Sequence, residues 1–175
     1  ANNGAYNSVG IRNDIIDNYG TINFNKVSSY TAAYGNYIQN HENATVKIDS
    51  STISNYVSVI INDSNLEINN SSVSFSGMYG NGTGLTNNEG KNLTINGSTL
   101  NTNLLNKGTF VSSKNNYYTS IENSSTGTYK SNSDTFATDV SNSGQLDLHD
   151  VTTTSGKSMS NNNSGVINMY SGTIN

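Results

Sequence analysis

An apolar residue, any residue, then Asn: this phrase recurs eight times along the chain, at Ile16/Asn18, Ile38/Asn40, Ile60/Asn62, Leu85/Asn87, Leu104/Asn106, Ile121/Asn123, Val140/Asn142 and Met159/Asn161. From one anchor Asn to the next the chain advances 22, 22, 25, 19, 17, 19 and 19 residues. Repeats of this length mark a solenoid, in which each unit is one turn and buries its apolar face only when the next turn stacks on it. After each anchor come a few polar residues, usually with a glycine: Gly20, Gly90, Gly108, Gly127, Gly144 or Gly165. An alternating apolar pair follows, as in Ile22/Phe24, Val46/Ile48, Leu66/Ile68, Leu93/Ile95, Leu146/Leu148 and Ile167/Met169. Period two describes a half-buried strand. Five residues beyond the pair stands another apolar residue in many units: Ile53, Val73, Leu100, Phe136 and Ile174. A short strand then runs into the next anchor. The pattern predicts an all-β protein, a parallel β-helix with three strands per coil and about 7–8 coils of 17–25 residues. One domain spans 1–175, with 1–15 an incomplete N-terminal coil.

The spacing also predicts two details. An Asn two residues past an inward apolar residue points inward itself. Asn18, Asn40, Asn62, Asn87, Asn106, Asn123, Asn142 and Asn161 are therefore read as a structural ladder rather than as ligand-binding amides. Such a ladder satisfies polar groups at a corner that would otherwise be left unpaired. The units with Phe110/Ser112 and Tyr129/Ser131 place a serine where others place an aliphatic residue, and are expected to be the thinnest part of the core.

Composition narrows the class. Apolar residues make up 32% of the chain and charged residues 11%, while Asn alone supplies roughly a fifth. Disordered chains share the low apolar content but carry more charge or proline; here proline is absent. Proline would delete a ladder donor in an interior coil. The absence of cysteine excludes disulfides and thiolate metal sites. Val59-Ile60-Ile61 is the longest apolar run, too short for membrane insertion. A net charge of -4 without a basic patch argues against nucleic acid.

Catalytic and metal chemistry find little support. His149 with Asp147, Asp150 and Asp139 is the one cluster with metal-ligand residue types, and a solvated face is the favoured reading. His41 belongs to a turn, and the single arginine, Arg12, lies near Asp14 and Asp17 in irregular sequence. No pair of acids occupies matching positions of adjacent units, so no enzyme activity, metal or cofactor is expected. Thr21, Thr45, Thr109 and Thr128 share a position, but Asn65, Asn92, Gln145 and Val166 interrupt the array that ice binding would need. On the outward column, Lys47 should neighbour Glu67 and Lys130 should neighbour Asp147, a test of register.

Tyrosine is the functional hint. There are 11, with no tryptophan. The first three units are longer than the rest, and much of the surplus precedes the next anchor, where Tyr30, Tyr34, Tyr37, Tyr56 and Tyr79 fall. Aromatic faces beside amides suit the C–H faces and hydroxyls of sugars. Core filling is the competing reading for Tyr34 and Tyr56. Each lies six residues before an anchor, as do Leu100, Tyr117 and Phe136.

Tyr19-Gly20-Thr21-Ile22-Asn23-Phe24, Asn92-Leu93-Thr94-Ile95-Asn96-Gly97-Ser98-Thr99-Leu100 and Ser164-Gly165-Val166-Ile167-Asn168-Met169 resemble the pectate-lyase-like β-solenoid regions of large bacterial surface adhesins. Those of low-GC Gram-positive bacteria such as lactobacilli look closest. The resemblance implies a right-handed coil in an extracellular, cell-wall-attached parent protein. Its expected partners are surface glycans, mucus or other host extracellular components. It carries over no catalytic residue. The expectation is a non-catalytic adhesin module. The alternatives are a passive stalk or self-association module and a degenerate polysaccharide lyase or hydrolase. The segment Thr173-Ile174-Asn175 falls mid-pattern, so further coils are expected in the parent, and an open coil invites end-to-end self-association.

Overall fold

The computed structural model describes residues 15–30, 36–54, 57–75 and 84–175. Their regular elements are β-strands, gathered into three eight-stranded parallel sheets. The first sheet holds the anchors: Ile15–Asn18, Asn36–Asn40, Val57–Asn62, Leu85–Asn87, Leu104–Asn106, Ile121–Asn123, Val140–Asn142 and Met159–Asn161. The second holds the alternating pairs: Thr21–Asn25, Thr45–Asp49, Asn65–Asn69, Asn92–Asn96, Thr109–Ser113, Thr128–Asn132, Gln145–His149 and Val166–Met169. The third is made of short strands: Ser28–Tyr30, Thr52–Ser54, Ser72–Ser74, Thr99–Leu100, Asn116–Tyr117, Thr135–Phe136, Val151–Thr153 and Gly172–Thr173. The chain visits the three sheets in turn, so a strand's partner is the strand one coil away. This is a β-solenoid. Seven steps of ~4.8 Å make the stack about 34 Å tall. Ile15, assigned to an incomplete lead-in by the sequence, belongs to the first anchor strand and pairs with Tyr37.

Register stacks like on like. Ile38, Ile60, Leu85, Leu104, Ile121 and Val140 are successive neighbours in the first sheet, and all are buried. In the second sheet Val46, Leu66, Leu93, Phe110, Tyr129 and Leu146 form one inward column. The third sheet contributes Ile53, Val73, Leu100, Tyr117 and Phe136. These columns meet in one apolar cluster along the rod axis. Outward, Lys47 faces Glu67 and Lys130 faces Asp147, as the alternation requires.

Register also shows which residues share the Leu100 slot. The neighbours of Leu100 down the stack are Val73 and then Ile53, so the surplus residues of the long coils follow the third sheet. Tyr34, Tyr56 and Tyr79 themselves lie outside the described residues. The first-sheet strand of the third coil also carries a bulge, with Asn36 opposite Val57 but Tyr37 opposite Val59.

The second corner turns on one residue. Lys26, Ser50, Asn70, Gly97, Lys114, Ser133 and Asp150 hold φ between 49° and 59° in seven successive coils. A left-handed conformation at a non-glycine residue costs roughly 1 kcal/mol, yet only Gly97 is glycine. The ladder offsets the cost, because these residues still donate their N–H across coils, as Ser50 does to Asn69 O at 3.0 Å. The first corner alternates between two residues (Tyr19-Gly20, Asp63-Ser64, Lys107-Gly108, Ser143-Gly144) and four (41–44, 88–91, 124–127, 162–165). Gly127 and Gly144 close such corners where a side chain does not fit. A Cβ on Gly127 would lie 2.3 Å from Asn123 Oδ1, and one on Gly144 would lie 2.3 Å from Gly127 O.

The two serine-bearing coils are not thin. They hold the four largest fully buried side chains, Tyr117, Tyr129, Phe110 and Phe136. Phe110 stacks on Tyr129 with centroids 4.2 Å apart, Tyr117 stacks on Phe136 at 5.4 Å, and the pairs meet edge to face. The small Ser112 and Ser131 make room for the rings, so core volume is conserved by exchanging size between columns.

Candidate functional site

The anchor asparagines form one hydrogen-bonded column through all eight coils. Asn18 Nδ2 donates to Asn40 Oδ1 at 2.7 Å, and the same bond repeats from Asn40 to Asn62, Asn62 to Asn87, Asn87 to Asn106, Asn106 to Asn123, Asn123 to Asn142 and Asn142 to Asn161 at 2.7–2.9 Å. The same Nδ2 also reaches a backbone carbonyl of the following coil, such as Thr45 O from Asn18 and Thr128 O from Asn106. Within its own coil it closes either corner length, donating to Gly108 O two residues on from Asn106 or to Gly127 O four residues on from Asn123. Six interior members are fully buried. Their amides are thus committed to the scaffold.

A second column, at the corner between the second and third sheets, escaped the sequence reading. Ser51, Ser71, Ser98, Asn115 and Asp134 each accept the backbone N–H one coil back, from Val27, Ser51, Ser71, Ser98 and Asn115 at 2.7–3.1 Å. Asp134, 1% exposed, ends this run of acceptors, since Val151 follows it. Its carboxylate takes Asn115 N–H at 2.7 Å, the Ser131 hydroxyl at 2.6 Å and the Ser112 hydroxyl. Burial pushes its pKa up from 3.8, against the opposing pull of these donors. The only available signal was a polar residue just before each third strand, and the surrounding Asn and Ser conceal it.

The surface candidate lies on the first sheet and first corner of coils one to four. Tyr19 is 73% exposed and stacks on His41, with centroids 4.2 Å apart and planes within 1°. Asp17 Oδ1 holds His41 Nε2 at 2.7 Å and so orients the imidazole under the tyrosine. Beside this pair, Tyr37 donates its hydroxyl to Gln39 Oε1 at 3.2 Å. Gln39 Nε2 donates to Asp63 Oδ2 at 2.5 Å, and Asn88 Nδ2 donates to Asp63 Oδ1 at 2.6 Å. Partial burial, then the charges of Asp63 and Asp17, raise the Tyr37 pKa, so the phenol stays a hydrogen-bond donor. The residues come together because anchor strands put positions 17, 39 and 61 in one outward column and corners put 19, 41 and 63 beside it. The patch offers an open aromatic surface, oriented amides and carboxylates with spare lone pairs, a set suited to hydroxylated ligands.

Of the tyrosines singled out by sequence, Tyr37 alone is described within this patch, half-buried rather than freely exposed. Tyr30 lies on the third sheet by its backbone. Tyr19, His41, Asp63, Gln39 and Asn88 were missed. Each looks like an ordinary turn or strand residue until adjacent coils are superposed. His149 stacks on Tyr170 at 4.3 Å, while Asp147 accepts from Gln145 and Asn168. Among the described residues, no three His, Cys, Asp or Glu side chains converge as a metal site requires. Comparison with protein-family models, curated proteins and solved structures finds no match.

Proposed function

We propose that this chain is a non-catalytic adhesin module, a β-solenoid region of a bacterial cell-surface protein, that binds carbohydrate on host or cell surfaces. The observation that carries the reading is the Tyr19–His41 stack beside the Tyr37–Gln39–Asp63–Asn88 chain of hydrogen bonds. An aromatic ring held in place without lost rotamer freedom, flanked by fixed polar groups, can pack against a sugar's C–H face and bond its hydroxyls at low entropic cost. The resemblance to adhesin solenoids of low-GC Gram-positive bacteria supports the extracellular, wall-attached setting and a partner among mucus or surface glycans.

A glycan array on the purified chain, with Y19A and Q39A alongside, tests this. Binding to mucin, glycosaminoglycan or cell-wall glycans that weakens at least tenfold in Y19A is expected. Silence across all three classes overturns it. The second reading, a passive stalk, is favoured by the continuous asparagine column, which ties every coil to the next as a rigid spacer requires. A chain that binds no glycan and spaces its neighbours at a fixed distance would be that stalk.

A further inference from the structure

Asp134 is a carboxyl group enclosed in the apolar interior of the rod. From the second sheet it faces the hydroxyls of Ser112 and Ser131, and from the turn before the third sheet the backbone N–H of Asn115. The titratable groups near it are two phenols, Tyr117 and Tyr129, fully buried themselves and neutral because burial raises both pKa values well above 10.0. Tyr129 reaches the same Ser112 hydroxyl at 3.2 Å, and Tyr117 bonds Asn115 Nδ2 at 3.3 Å. None of these partners is a cation. Among the described residues, a negative charge at Asp134 is balanced by dipoles alone, in the coils that hold the four-ring aromatic stack.

We propose that the fifth and sixth coils carry an acid-tightened core lock, in which protonation of Asp134 strengthens the rod. The neutral carboxyl keeps an acceptor for Asn115 N–H and gains an O–H donor for a serine hydroxyl, while losing the cost of an enclosed charge. The sign follows from linkage. The folded chain holds this proton to higher pH than the unfolded chain does. The contribution is therefore fully present below the ordinary value of 3.8 and is lost as pH rises through the raised folded value. Exposed Asp139 acts oppositely: bonds from Ser158 lower its pKa, so its contribution is lost on acidification.

The test is thermal unfolding of the full chain across the range from neutral to below pH 3.8, for wild type, D134N and D139N. D134N keeps the shape and the Asn115 bond without the charge. It should melt higher than wild type near neutral pH, with the gap closing as pH falls, whereas D139N should show no such gap. A pH-independent gap, or a wild type that melts higher than D134N at neutral pH, overturns the proposal. Carbon-13 titration of the side-chain carboxyls in wild type gives a second reading that needs no variant. A midpoint for Asp134 above those of the exposed aspartates is expected, and one at or below them overturns the lock.

Discussion

Truncating one interior member of the asparagine column should cost far more than its small size suggests. In N106A the lost amide is one that donates to Asn123 Oδ1 at 2.7 Å, Gly108 O at 3.1 Å and Thr128 O at 3.2 Å, and accepts from Asn87 Nδ2 at 2.9 Å. Asn87 Nδ2 keeps two backbone acceptors, Lys91 O and Thr109 O, so its loss is small. Asn123 Oδ1 and Gly108 O lose a donor where they are buried, and Thr128 O loses one where it is partly buried. A buried group stripped of its partner costs about 1–3 kcal/mol. One side-chain oxygen and two partly compensated carbonyls therefore give about 3–4 kcal/mol. For a chain of this length that corresponds to a drop in Tm of roughly 10 °C. N161A is the control. Asn161 is exposed, and Asn142, its donor, retains Gly144 O and Val166 O, so the loss should stay below about 1 kcal/mol. Urea unfolding followed by circular dichroism measures both. An N106A loss within about 1 kcal/mol of wild type, or equal to that of N161A, would refute the claim that the column holds the coils together.

G127A should lose about 2–3 kcal/mol, because its Cβ would sit 2.3 Å from Asn123 Oδ1 and 2.7 Å from Asn106 O, whereas G20A, with nothing within 4 Å, should leave Tm unchanged. T102V should gain about 1 kcal/mol in stability measured by urea unfolding, since the buried Thr102 Oγ1 has no hydrogen-bond partner among the described residues; a loss would refute this. A double-mutant cycle on Lys47 and Glu67, 3.1 Å apart on the second sheet's outer face, should return a coupling below about 1 kcal/mol that vanishes in high salt.

Local chemistry sufficed for much of this molecule. Ile38, Ile60 and Leu85 each stand two residues before an Asn, and that repeated phrase fixes which side of each strand faces inward whatever lies between the anchors. The alternating pairs do the same for the second sheet, and the Lys47–Glu67 contact follows from their register. Tertiary structure decided what depends on superposing coils of unequal length. The surplus of the long coils follows the third sheet, so Ile53 and Val73 align with Leu100. That the serine-bearing coils are well filled shows only when rings of the second and third sheets meet edge to face, Phe110 with Tyr117 and Tyr129 with Phe136. The Ser51–Asp134 column and the Tyr19–His41–Asp17 patch join residues 17–27 positions apart, in a chain where polar side chains are too common to signal their role. Periodicity records which way a side chain points, and it names the partner where the same residue type recurs at one slot; where coils differ in length or the slot holds mixed polar residues, the partner is set by how neighbouring coils superpose.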